Sequence, residues 1–181
     1  MEFYDVLNAR RSVRAYKDTP IEEAALNRIL EAGRSAPSWM NRQCWRFVVV
    51  RDSAVRKMLG EMVDNPNREC FEKAPCIIAV CADPSDSGVT GGKEYYMADC
   101  AIAMEHIMLA AASEGLSTCW VGTFAEYPVR NVLKLPREVK IVGLTPLGYA
   151  DEEPSPTPRK PLTEIVHYDT WRQGGYEDKR A

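Results

Sequence analysis

Two short runs of this chain carry no polar side chain at all: Phe47-Val48-Val49-Val50 and Cys76-Ile77-Ile78-Ala79-Val80-Cys81. A strand with one wet face alternates apolar and polar residues, whereas these runs offer water nothing on either side. They are also far shorter than the roughly 18 apolar residues that a membrane-crossing helix needs. Each is therefore expected to be an interior strand with both faces covered, and the flanking sequence supplies the cover. Leu26, Ile29, Leu30 and Gly33 lie at helical spacing before the first run, and Val55, Met58, Leu59 and Met62 do so between the two. Tyr95 to Glu114, dense in Ala and Met, reads as the longest helix, of a composition that packs closely through a core or across a subunit interface. By itself the alternation of helix and strand favours a parallel sheet.

A chain of 181 residues suits one domain, over 1–181, that buries roughly 70% of its unfolded surface and needs neither a disulfide nor a structural metal to hold it. A net charge of −3 excludes a protein that is basic throughout, so nucleic acid would have to be held by a local patch. There is no apolar stretch of membrane-spanning length, and Met1-Glu2-Phe3-Tyr4-Asp5 opens without a charged-then-apolar leader, so a cytoplasmic chain with no membrane partner is expected. The six cysteines include no C-x-x-C pair and only two histidines could join them, which argues against zinc and for reduced thiols acting as small hydrophobes.

Local signals fill in the remaining order. Phe3, Val6 and Leu7 suit a short helix ending near Ala9. Thr19-Pro20-Ile21-Glu22 reads as a capping box with proline at the first helical position, and Gly33 as the stop of that helix. Arg34 to Arg46 and Asp83 to Lys93 read as loops, the first made bulky by Trp39 and Trp45. Cys119 to Phe124 is expected to be a strand edge turning at Gly122, followed by a helix at Val129, Val132 and Leu133 and a β-rich run from Val139 to Tyr149. From about residue 151 to 181 the chain is a tail. Four prolines extend it as far as Pro161, and Thr163 to Trp171 regains enough apolar residues to be anchored.

Familiar catalytic motifs are missing: there is no G-x-S-x-G, H-E-x-x-H, P-loop or G-x-G-x-x-G. His106, which Glu105 or Asp99 could partner, sits among apolar helical neighbours and is expected to be structural. No side chain is thus expected to be catalytic, and the chemistry of an enzyme built this way has to come from a cofactor. What the chain does offer is an anion site in two pieces, Arg10-Arg11-Ser12-Val13-Arg14 near the start and Arg159-Lys160 near the end. Guanidinium forks beside a hydroxyl suit a phosphate monoester. A solvated basic cluster or an RNA-contacting arm fits the first piece nearly as well.

Four segments taken together narrow this. Arg10 to Arg14, Ser35-Ala36-Pro37-Ser38-Trp39-Met40-Asn41-Arg42-Gln43-Cys44-Trp45-Arg46-Phe47, Gly115 to Gly122, and Pro158-Arg159-Lys160-Pro161-Leu162 resemble, in order and spacing over nearly the whole chain, the nitroreductase family of FMN-dependent oxidoreductases. The resemblance implies an α+β fold with a mostly antiparallel central sheet surrounded by helices, in an intertwined homodimer with FMN at the interface. It overrides the parallel sheet suggested above. It also implies hydride transfer from NADH or NADPH to flavin N5 and on to a nitroaromatic, quinone or related small acceptor, in a ping-pong cycle. Carried over by position, Arg10, Arg11, Ser12 and Arg14 would contact the phosphate, ribityl chain and pyrimidine edge, with Arg159 and Lys160 closing the phosphate site. Pro37, Ser38 and Met40 would be laid against the flavin by the second subunit, with Asn41 and Gln43 as polar contacts or loop-shaping residues. Val121 and Gly122 would present backbone groups near N5, and Asn67 matches more loosely. Trp39, Trp45, Trp120 and Phe124 could wall the ring, although Trp45 and Trp120 read better as core. The chain departs from the pattern at Cys44, where proline is common, and at Trp39, where a small residue is common. A non-catalytic FMN-binding or flavin-sensing protein is the alternative, with Trp39 crowding out the nicotinamide.

Overall fold

The computed structural model describes residues 2–64 and 68–171, so Asn67 and the last ten residues of the tail lie outside the described residues. Helix α1 (Phe3–Ala9) leads into an extended segment, then α2 (Glu23–Arg34), strand β1 (Trp45–Val50), helices α3 (Ser53–Gly60) and α4 (Arg68–Lys73), and strand β2 (Cys76–Ala82). A hairpin of β3 (Val89–Thr90) and β4 (Lys93–Glu94) runs into α5 (Tyr95–Ser113). After it come β5 (Ser117–Thr118), α6 (Glu126–Val132), β6 (Lys140–Gly148) and the one-turn helix α7 (Leu162–Ile165).

The central sheet has the order β1-β2-β6-β5, and every pairing in it is antiparallel. The parallel sheet suggested by helix–strand alternation is not what forms, and the register shows why. Val50, which ends β1, pairs with Ile77 at the start of β2, so the chain re-enters the sheet beside the point where it left. Helices α3 and α4 pack on each other as a hairpin and bring it back to that end, where a single crossover helix would have delivered it to the other.

Strand β2 is buried at every position, as its composition demands. Ile78, Val80 and Ala82 face a core built with α2 and α5 from Leu26, Ile29, Met104 and Ile107. Ile77, Ala79 and Cys81 face a second core with Leu59, Phe71, Val129 and Leu144 from the α3, α4 and α6 side. One strand thus supplies both cores through its two-residue period.

Several local expectations are corrected. The Thr19–Glu22 capping box does not form: α2 begins at Glu23, Glu22 is extended at ψ 133° and no side chain caps the helix. The preceding residues are held in extended form by the Tyr16–Ala150 bridge and the Lys17 N–H to Tyr149 carbonyl bond. Ile21 packs into the same core as Leu26, which staples the start of α2 one turn later than the motif suggests. Gly33 is not a stop, since α2 continues through it. A Cβ there would lie 2.7 Å from Ile107 Cγ1, so its hydrogen lets α2 and α5 approach closely. The Asp83–Lys93 loop contains the β3–β4 hairpin. The strand expected at 119–124 forms earlier, at Ser117–Thr118, leaving Val121 a single bridge to Leu144. Among the described residues no helix is long and apolar enough to cross a membrane. The Thr163–Trp171 segment is largely exposed on the protomer, with Trp171 stacked on His167 yet 83% exposed.

Candidate functional site

The first basic segment is fixed by main-chain pairing. Ser12 bridges Thr118 of β5, and Val13 N–H donates to the Thr118 carbonyl at 3.0 Å. Three residues on, Tyr16 bridges Ala150, and Asp151 N–H returns a bond to the Ala15 carbonyl at 2.8 Å. These ties bring the start of the proline-rich tail alongside Arg10–Arg14, and the tail then turns back over it. A cavity of about 390 Å³ results, lined by Leu7, Asn8, Arg10, Arg11, Ser12, Pro156, Thr157 and Arg159. Basic residues 149 positions apart in the chain therefore face one space that has no carboxylate in its wall.

The electrostatics sharpen the point. Six arginines elsewhere pair with acids, as in Arg28–Glu114, Arg51–Glu23 and Arg130–Glu126. Among the described residues, Arg10, Arg11, Arg14 and Arg159 make no ion pair. Arg11 spends its guanidinium on the Asn8 and Arg10 carbonyls at 2.6 and 2.9 Å, closing the C-terminal end of α1. Arg159 makes only long bonds to the Thr157 and Pro158 carbonyls, at 3.3 and 3.4 Å. A second cavity, of about 650 Å³, shares Arg10, Arg11 and Pro156 and extends the space along Gly115–Thr118 and Glu152–Pro156. The donor set of the first cavity fits a phosphorylated ligand, and each of the two volumes falls within the 300–1,000 Å³ usual for cofactor sites.

Arg14 stands slightly apart. Its backbone N–H and that of Ala15 both donate to the Glu152 carboxylate. Its positive charge partly offsets the burial that pushes the Tyr16, Cys70 and Cys119 protons toward higher pKa, which places it beside the turn leading to Val121 and Gly122. Val121 is buried, and Gly122 is exposed with Trp120 folded against it, the indole Nε1 lying 3.2 Å from where a Cβ would be. Trp120 itself is 37% exposed and so is not the core residue expected, whereas Trp45 is. Lys160 is exposed and lines neither cavity.

The segment Pro37–Gln43 is elsewhere. It rests on the N-terminal part of α5, where Trp39 N–H donates to Asp99 at 2.8 Å, while Arg10 shares its cavity with Ala112 at the other end of that helix. Thirteen residues of helix separate the two, about 20 Å at 1.5 Å per residue. In this segment Gln43 N–H donates to the Ser38 hydroxyl at 2.9 Å and Gln43 Nε2 to Asn41 Oδ1 at 3.2 Å, so these residues shape the loop. Met40 projects from it, 77% exposed.

All six cysteines are buried. Burial pushes Cys44 and Cys76 up to about 11 and Cys70 and Cys81 up to about 12, so none is a thiolate nucleophile at neutral pH. His106 faces the Ala32 carbonyl at 3.2 Å, a structural contact, and Asp99 serves Trp39 instead of His106. No cluster that could hold a metal ion occurs among the described residues. Sequence reasoning missed Asp99 itself, although it is one of only two acids, with the exposed Glu105, in an otherwise apolar helix.

A sequence model of the nitroreductase family matches residues 7–69 and 62–149. The chain belongs to that family. It is 31% identical over 194 residues to a Thermus thermophilus protein named NADH dehydrogenase, covering 90% of this chain and 92% of that one. Among solved structures, a nitroreductase family protein from Clostridium novyi NT superposes with a TM-score of 0.82 at 37% identity, over 84% of this chain and 87% of the other. An FMN-dependent nitroreductase from Clostridium difficile R20291 gives a TM-score of 0.81 at 28% identity, over 92% and 98%. The fold is accordingly the α+β nitroreductase fold, with its antiparallel sheet flanked by helices.

Proposed function

We propose that this chain is an FMN-dependent NAD(P)H oxidoreductase acting on a nitroaromatic, quinone or related small acceptor, as a single flavin-binding domain over 1–181 that works as a homodimer. The observation that carries the proposal is the convergence of Arg10, Arg11, Ser12 and Arg159 on one carboxylate-free cavity. Bound there, FMN would supply the two-electron chemistry, accepting hydride at N5 and passing it on. The protein's own part is to hold and to tune.

Arg10 and Arg159 would grip the phosphate, with Ser12 donating its hydroxyl and Arg11 holding the wall in shape through its carbonyl bonds. Arg14 would place positive charge toward the pyrimidine edge and so favour the reduced form. Val121 and Gly122 would set backbone groups beside the reactive centre, and Lys160 would add charge at the tail. With the described thiols protonated and His106 committed to a carbonyl, neither supplies a nucleophile, and acceptor protons would come from water.

The homodimer is supported by the roughly 20 Å of α5 that separates its contact with the Pro37–Gln43 loop from its contact with the Arg10 cavity, a span that one flavin would not bridge within a protomer. A second copy can supply the loop in trans. Apolar side chains left exposed on the protomer, including Phe3, Leu7, Met97, Ile102 and Ile165, are suited to that contact. The test is the absorbance spectrum of the freshly purified protein followed by rapid mixing with NADH and NADPH. Bound flavin that bleaches with either supports the proposal, flavin that bleaches with neither leaves a binding protein only, and colourless protein unable to take up FMN refutes it.

A further inference from the structure

We infer that Asp99 is a positioning residue for the reaction, its carboxylate fixing Trp39 and through it the Pro37–Gln43 loop that one chain presents to its partner's flavin. This rests on the proposed function, since it assumes that the loop faces a cofactor.

Asp99 is 2% exposed, in the second turn of α5, and no cation pairs with it among the described residues. Three donors converge on it instead. Trp39 N–H reaches Oδ1 at 2.8 Å, and the Ser87 hydroxyl reaches Oδ2 at 2.8 Å, with the Cys44 thiol at 3.5 Å from the same oxygen. Burial and the neighbouring carboxylate hold Cys44 at about 11, so it stays a protonated donor. A buried carboxylate is costly unless donors satisfy it, and these come from three separate places: the loop, the residue leading into β1, and the segment before the β3–β4 hairpin. An amide of the same shape would turn an NH₂ group toward at least one donor, so the site calls for an acid.

The target of this network is unusually constrained. The Trp39 indole stacks on Tyr95, with centroids 6.0 Å apart and planes 28° from parallel. It also lies so close over Gly88 that a Cβ there would be 2.4 Å from the ring. Directly after it, Met40, Asn41 and Gln43 have φ of 47°, 55° and 51°, the left-handed region that side-chain-bearing residues seldom adopt. Such backbone persists only where its surroundings over-determine it. The Ser38 hydroxyl closes the loop from within, and Asp99 ties it down from below. The tie also holds the bulky Trp39 against its own protomer, so that Met40 is what projects.

The experiment uses the FMN-loaded dimer and exploits the loop's action in trans. Asp99→Asn should weaken FMN binding and raise the acceptor KM by about tenfold each, with a smaller change in kcat. Mixed dimers then separate positioning from general damage, with Arg10→Glu, whose reversed charge opposes the phosphate where Arg10→Ala only weakens its hold, disabling one flavin site. When both substitutions sit on one chain, the surviving flavin faces the altered loop and should show the full defect. When they sit on opposite chains, the surviving flavin faces an intact loop and should behave as wild type. A purely structural role impairs the altered chain's own site and gives the reverse order, which would overturn the inference, as would an Asp99→Asn dimer indistinguishable from wild type. If Asp99→Asn does not fold, Ser87→Ala, which removes a single donor, takes its place with the same trans pattern and a smaller effect. Wild-type protein that binds no FMN refutes the functional proposal itself, and the inference with it.

Discussion

Removing the Arg10 guanidinium tests the phosphate site in a way that separates binding from folding. Arg10 is half-buried, lines the cavity with Ser12 and Arg159, and is free of any ion pair among the described residues, so Arg10→Ala takes away a cation whose loss strands no buried acid. A charge-assisted hydrogen bond is worth about 1.5–3 kcal/mol. The cavity is open to solvent and Arg159 remains, which places the loss near the lower limit, about 1.5 kcal/mol or roughly a twelvefold rise in the FMN dissociation constant. Riboflavin lacks the phosphate, so its affinity should change by less than about twofold. Arg10→Lys should fall between wild type and Arg10→Ala, since it keeps the charge and loses the fork. Fluorescence titration of flavin-stripped protein with both ligands gives all of these numbers. An equal loss for FMN and riboflavin would show that Arg10 supports the fold and not the phosphate, and no loss for either would remove it from the site.

Gly33→Ala gains up to about 1 kcal/mol of helix propensity but drives a Cβ to within 2.7 Å of Ile107, and overpacking of that kind costs about 1–3 kcal/mol. A net fall of about 3 °C in melting temperature is expected, and a rise would mean that α2 and α5 are looser than described. Phe71, fully buried in the core on the α3 and α4 side, should cost about 3–5 kcal/mol on truncation to alanine, read from urea unfolding midpoints. Because burial raises Cys70 and Cys81 from 9.0 to about 12, the unfolded chain releases these protons first as pH rises. Stability should therefore decline between about pH 9 and 12, and a flat denaturation midpoint over that range would contradict it.

Legibility in the sequence tracked how local the cause was. Strand β2 could be read directly because burial on both faces leaves its mark on every residue. The direction of pairing could not, since α3 and α4 decide it together and only one of them shows a clear stripe; α4, with the sequence Arg68-Glu69-Cys70-Phe71-Glu72-Lys73, is mostly charged. The capping box at Thr19 was a correct motif overruled by pairing with Ala150, 134 residues from Tyr16. Gly33 looked like punctuation because its partner, Ile107, is distant in the chain. At the site, the basic residues of both termini were visible as types, and their meeting at one cavity was inferred through the family resemblance. The Asp99 network left only the trace of an acid that shares a greasy helix with one other, Glu105, since its three donors are scattered over two loops and a strand edge.

The placement of the basic cavity and the Pro37–Gln43 loop at opposite ends of α5 has a consequence for how the protein would be loaded. If each protomer holds half of two sites and all of none, cofactor uptake becomes second order in chain, and dilution alone should release pigment long before heat does. Newly made chains would remain colourless until they met, so the yellow fraction of a preparation would report its degree of pairing as directly as a sizing column.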